Sequence, residues 1–155
     1  MKFVANTIQA HVARYNKSSE RFEHLILQRA DNEKIYPSIW QVVTGMIDGD
    51  ETAIAAAIRE FSEETGLNFQ RMWAIPYLTS FFNHRNNSVS FAPVFGFIVD
   101  YNDEVILSCE HQDYSWLELD SALSRLILPS HRDAAIVFEK NILLSDDPDL
   151  FIIKF

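Results

Sequence analysis

Residues Gly45–Leu67 read GMIDGDETAIAAAIREFSEETGL. Within this stretch Thr52–Thr65 is rich in Ala, Glu and Arg and stops at Gly66. Such residues favour a helix, and a glycine just past its end supplies the C-terminal cap. Ile54, Ala57, Ile58 and Phe61 recur at helical spacing, which predicts one buried face. Glu60, Glu63 and Glu64 stand at i, i+3 and i+4 and therefore share a face over about one turn. Like charges so placed destabilise an isolated helix by a few tenths of a kcal/mol per pair. A divalent cation reverses that sign, because Mg²⁺ takes oxygen ligands and bridges to substrate phosphates. With no cation, the triplet is an ordinary solvated acidic face. Arg59 lies at i, i+4 from Glu63 and can orient a carboxylate. Glu51 meets Arg59 only if the loop folds back along the helix. Gly45 has no Cβ, so its carbonyl can approach a metal closely.

Before the helix, Phe3–Tyr15 places Val4, Ile8, Ala10 and Val12 on one side of a predicted strand. Phe22–Arg29 is a second, more buried strand, and the two are expected to pair as a hairpin across the polar turn Asn16–Glu20. A polar loop, Asp31–Ser38, leads to the short apolar segment Trp40–Val43. After the helix, Met72–Phe82 and Val89–Val99 carry β-branched and aromatic residues and are predicted strands. Val105–Leu107 and Tyr114–Leu117 are short extended candidates. Ser121–Leu126 is predicted as a short helix. His131–Leu144 is predicted as the last helix, with Ala134, Ala135, Phe138 and Ile142 inward, and Phe151–Phe155 as a terminal strand. The expected fold class is mixed α/β, in one domain over residues 1–155.

The chain has 155 residues, 48% of them apolar, enough to bury a core. Four Gly and five Pro are too few for a linker-rich chain. Apolar runs such as Phe95–Val99 fall well short of the ~20 residues of a membrane span. The single Cys109 excludes an internal disulfide and a multi-Cys metal site, and it is expected to be structural. Thirteen Lys and Arg against 22 Asp and Glu give a net charge of -9, which disfavours nucleic acid as a partner. A cytoplasmic protein without membrane or nucleic-acid partners is expected; its oligomeric state is left open.

The whole pattern is Gly, five residues, Glu, seven residues, Arg-Glu, an apolar residue, any residue, Glu-Glu, any residue, Gly, apolar. Gly45, Glu51, Arg59, Glu60, Phe61, Glu63, Glu64, Gly66 and Leu67 fill every fixed position. At average residue usage the chance of such a match in a chain this long is roughly 10⁻⁷ or less. This is the Nudix box, and the chain resembles the Nudix hydrolases. The resemblance implies an α/β/α sandwich with a mixed sheet between helices. It implies hydrolysis of a nucleoside diphosphate linked to another group, with Mg²⁺ or Mn²⁺ as cofactor. By match to the motif, Glu60, Glu63, Glu64 and the Gly45 carbonyl are the expected metal ligands, with Arg59 and Glu51 orienting them. Many members add a carboxylate from a downstream loop, which points to Glu110 here. Glu60 or Glu63 is favoured over Glu110 as the proton acceptor.

Around the box, Leu27-Gln28-Arg29 and Trp40–Gly45 resemble the dihydroneopterin triphosphate and dATP pyrophosphohydrolases. Glu110-His111 with Trp116-Leu117, and His131-Arg132 with Ala135-Ile136, resemble them too. The expected substrate is thus a small nucleoside or pterin triphosphate. Nucleotide sugars such as ADP-ribose, or a non-catalytic ligand-binding role, are the alternatives. Arg29 suits a bidentate phosphate clamp or, equally, a strand-end surface position. Trp40 suits stacking on a base or pterin ring, or a place in the core. His84, Arg85 and Asn86 form a polar turn, and His131-Arg132 open the last helix where an anion could dock. His111 reads as structural or solvent-facing rather than as a base.

Overall fold

A computed structural model describes residues 1–155. Eight strands and three helices follow in the order β1 (Lys2–Val4), β2 (Thr7–Asn16), β3 (Arg21–Arg29), β4 (Trp40–Gln41), β5 (Val43–Met46), α1 (Ala53–Thr65), β6 (Phe69–Asn83), β7 (Ser88–Val99), β8 (His111–Leu117), α2 (Leu119–Arg125) and α3 (Pro129–Phe138). A single π-helical turn, Glu139–Leu143, extends α3.

β2 and β3 form the predicted hairpin, paired antiparallel from Ala13–Asn16 to Arg21–His24. Beyond that the two strands part. Thr7–Ala10 of β2 pairs with β5, and Leu27–Gln28 of β3 pairs with β4. The segment Trp40–Met46 therefore enters a fork between the arms of the hairpin. Val42 is the break between β4 and β5, and its N–H donates to Nδ1 of His131 at 3.4 Å. β7 runs parallel to β2 and to β1, and antiparallel to β6, so the sheet is mixed. β8 completes it on the free edge of β3.

Both faces of this sheet are covered, so β2 is buried on both of its alternating sides. Ile8, Ala10 and Val12 join Leu25, Leu27, Phe95 and Phe97 under α1, where Phe61 stacks on Phe97 with ring centroids 4.4 Å apart. On the opposite face Ala13, Trp73 and Val94 pack under Ala134 and Phe138 of α3, while Ile26 and Val42 pack under Ala122 and Leu126. The result is the expected α/β/α sandwich. α1 is closed at both ends by local chemistry. Thr52 Oγ1 accepts from the Ala55 N–H at 3.1 Å, and Gly66, at φ 66, returns its N–H to Ser62 O.

Several expectations need correction. The first predicted strand is two, because the register to β7 breaks at Ala5-Asn6. Ile54 is 37% exposed and is not part of the inner face of α1, which is made by Ala56, Ala57 and Phe61. Val105–Leu107 is not a strand; it straps over the end of α1, with the Ile106 N–H donating to Thr65 O. The last helix starts earlier, at Pro129, whose missing N–H suits a first turn, and it loosens at Glu139. Phe151–Phe155 makes only a bridge from Ile152 to Trp73. Cys109 is exposed and supports no packing. No helix is long and apolar enough to cross a membrane.

Gly96 sets the spacing between β7 and α3, because a Cβ there would fall into the Phe138 ring. Gly96→Ala is expected to destabilise by about 1–3 kcal/mol through overpacking. Its urea midpoint should drop accordingly; an unchanged midpoint would mean that the α3 interface is loose.

Candidate active site

The fork delivers Gly45 to the middle of α1. The Glu60 carboxyl lies flat against Gly45, where a Cβ would collide with it. Gly45 thus provides a cradle for a side chain, beyond the close carbonyl approach that its sequence position suggests. Gly45→Ala is expected to push Glu60 aside and lower turnover about 100-fold, as a misplacement near 1 Å can. Circular dichroism should remain that of the folded chain. Turnover within a factor of three of the parent would show that Glu60 does not act from that position.

Arg59 is the hub of the box. Its Nε and Nη2 donate to the two oxygens of Glu51 at 3.0 and 2.9 Å, a bidentate pair. Nη1 donates to Glu60 Oε1 at 2.7 Å, and Nη2 to the carbonyl of Met46 at 2.8 Å. Glu63 lies at 3.5 Å from Nη1 and Asp48 at 3.4 Å from Nη2. The loop does fold back along the helix, and Glu51 helps by accepting the Asp48 N–H at 3.2 Å. Hydrogen bonds to Glu51 and then to Glu60 hold the guanidinium charged well beyond its ordinary range. The same bond from Arg59 holds Glu51 below the usual carboxylate range.

The three box glutamates meet different surroundings. Glu63 has a side chain 58% exposed and faces solvent. Glu60 is half-buried, and burial raises its pKa against the opposing pull of Arg59. Glu64 is 3% exposed and its Oε2 has no hydrogen-bond partner. Burial first, then the charges of Glu60 and Glu110, push Glu64 up to about 9. Glu110 adds its field to both Glu60 and Glu64, although it is far away in sequence.

Arg29 donates Nε to the carbonyl of Ile35 at 3.0 Å and Nη2 to Glu33 at 3.1 Å. Its Nη1 has no protein partner, and its charge acts on Glu64 and His111. Trp40 is half-buried, packs on the cluster under α2 and lies beneath the Arg125 guanidinium at 5.4 Å. His131 is buried and serves Val42, and Arg132 donates to the carbonyls of Leu126 and Ile127. Neither is directed to an anion. Gln41 was not singled out in the sequence, yet it is buried and donates to His111 at 2.9 Å. No local pattern links two residues so far apart in the chain.

The side chains do not already form a closed metal cage, since no three His, Cys, Asp or Glu are gathered at that spacing. The residues nevertheless fit a hard divalent cation. The donors are carboxylate oxygens, one of them buried without a partner, and a carboxylate buried among other carboxylates needs positive charge to ionise. A surface cavity of about 520 Å³ lies elsewhere, between Arg21, Glu118 and Lys140, and holds none of these groups.

The NUDIX domain family model matches residues 6–138, and the chain belongs to that family as a Nudix hydrolase, a pyrophosphohydrolase. It is 33% identical over 102 residues to the mouse (Mus musculus) bis(5'-nucleosyl)-tetraphosphatase [asymmetrical], covering 64% of this chain and 67% of that protein. It is 46% identical over 54 residues to the dihydroneopterin triphosphate diphosphatase of Haemophilus influenzae, covering 35% of this chain and 30% of that one. Its fold matches a C. elegans Ap4A hydrolase binary complex at a TM-score of 0.70, with 23% identity over 88% of this chain and 95% of that chain.

Proposed function

We propose that this hydrolase cleaves a nucleoside or pterin triphosphate to the monophosphate and pyrophosphate, with Mg²⁺ or Mn²⁺ as cofactor. The observation that carries the reading is Glu64, buried beside Glu60 and Glu110 with one oxygen unpartnered. Glu60, Glu63, Glu64, Glu110 and the Gly45 carbonyl would hold the cation. When bound, it supplies neutralisation of phosphate charge and a more acidic water.

The chain's own residues do the rest. Arg59 occupies Glu60 Oε1 and so sets which oxygen Glu60 has free. Burial raises the proton affinity of Glu60, which suits it to take the proton of the attacking water. Glu63 is the other box candidate for that role and Glu110 the one outside it. Glu51 fixes Arg59 and thereby the loop that follows Gly45. Arg29 offers its unbonded Nη1 to a phosphate oxygen. Trp40 contributes a half-buried ring as a wall for the base or pterin. The likeness to the Haemophilus dihydroneopterin triphosphate diphosphatase supports this substrate class.

A second reading, a dinucleoside tetraphosphate, is favoured by the longer match to the mouse enzyme. A nucleotide sugar of the ADP-ribose type is the third. Products separate them: pyrophosphate from a triphosphate, two unequal nucleotides from the dinucleoside, two monophosphates from the sugar. The test is a Mg²⁺- or Mn²⁺-dependent screen of all three classes, with each product measured separately. If no triphosphate yields pyrophosphate while a dinucleoside or sugar turns over, the triphosphate reading falls.

A further inference from the structure

Glu110 is the one carboxylate of the cluster that α1 does not carry. It stands exposed on the turn before β8, and a turn residue holds its place only where its backbone is tied. The Glu110 carbonyl accepts the Ala30 N–H at 2.9 Å. The next residue, His111, is 5% exposed and sits opposite Arg29 in the β3–β8 register. Gln41 Nε2 donates to His111 Nε2 at 2.9 Å, and Gln41 is equally buried. Gln41 is the only side-chain hydrogen-bond partner of the ring, whose Nδ1 has none.

The register itself carries information. Gln28 faces Asp113, but Arg29 faces His111, so Gln112 is an extra residue in β8. Side chains alternate along a strand, and a bulge changes which face the following residues take. Without it Gln112 would oppose Arg29, and His111 would turn to the other face of the strand. The bulge is locked from outside, with Gln112 Nε2 donating to Asp31 Oδ1 at 2.9 Å and the Asp31 N–H donating to Gln112 Oε1 at 2.9 Å.

We infer that Gln41 is a positioning residue: through the buried His111 ring, and together with the Gln112 bulge, it fixes the turn that carries Glu110 for its part in the proposed cation site. One segment, Trp40–Met46, thereby sets two carboxylates, Glu60 through Gly45 and Glu110 through Gln41. This inference rests on the proposed role of Glu110 in holding the cation.

The test is a double-mutant cycle on the full chain with Gln41→Met, which keeps volume and removes the donor, and Glu110→Gln. Mn²⁺ affinity is read without substrate from the electron paramagnetic resonance signal of the free ion, alongside kcat, KM and Tm. Gln41→Met is expected to weaken Mn²⁺ binding about 10-fold, as loss of an outer-shell partner does, with KM unchanged. In the Glu110→Gln background it should add almost nothing. Full Mn²⁺ affinity in Gln41→Met, or full additivity with Glu110→Gln, overturns the inference while leaving the role of Glu110 intact. If Glu110→Gln alone changes neither affinity nor kcat, the role of Glu110 fails and the inference falls with it. Where Gln41→Met does not fold, Gln112→Ala at its exposed site replaces it, with a several-fold weakening expected and an unchanged affinity counting against the inference.

Discussion

Glu64→Gln is expected to abolish most turnover, by at least about 100-fold, while making the metal-free protein more stable. Both effects come from one fact: a carboxylate has been buried with an unpartnered oxygen among other carboxylates. Its pKa is about 9 in the folded chain against an ordinary value of 4.5. Between those two values the folded state holds a proton that the unfolded state has released. Stability therefore falls as pH rises through that window. Below the lower value both states are protonated and no penalty exists; above the upper value the penalty is complete. The amide cannot ionise, so it escapes the penalty.

The difference in Tm between Glu64→Gln and the parent, in a chelator, should thus be near zero at about pH 4.5 and grow toward pH 9. Divalent cation should reverse the order. It binds the ionised site only in the folded state, stabilises the parent by RT ln(1 + [L]/Kd), and does so increasingly as pH rises. A Tm difference that is flat with pH would remove Glu64 from the cluster. Glu63→Gln makes a useful contrast. Its side chain is solvent-exposed and its charge is the smallest of those that raise Glu64, so its removal should leave most of the Glu64 penalty in place.

The box was legible because its chemistry is local. Arg59, Glu60, Glu63 and Glu64 lie within two turns, and helical spacing alone puts them on one surface. Spacing could not say which of them is buried. That depends on β5 and β8, whose pairings bring distant residues over the helix. Glu64 and Glu63 are neighbours in sequence, yet one is 3% exposed and the other's side chain 58%. The strands of the hairpin were legible from alternation, but the fork was not, because it is set by which edge Trp40–Met46 finds. The break at Val42 is likewise invisible locally, since its N–H is satisfied by His131 from the far end of the chain. Ile54 misled because it fits the apolar spacing, yet on that first turn it is Ala53 that packs against the core.

Arg59→Lys is expected to be nearly as damaging as Arg59→Met, lowering turnover on the order of 100-fold with a reduced Tm. The charge survives in the lysine variant, so any explanation from net charge predicts rescue. Geometry predicts none. Arg59 grips both oxygens of Glu51, donates to the Met46 carbonyl and reaches Glu60 from its remaining nitrogen. A lysine ammonium is a compact point charge and cannot make the bidentate pair while spanning to the other two. Losing the grip frees the Met46–Glu51 loop and with it Gly45, which immediately precedes Met46 and cradles Glu60. Glu60 then loses both its partner and its cradle. Raised salt should worsen the parent little, because the guanidinium is held by several short directed bonds, but it should further lower the Tm of the lysine variant, whose single ammonium makes fewer of them. Turnover within a factor of five of the parent in Arg59→Lys would show that Arg59 acts as a charge and not as a brace.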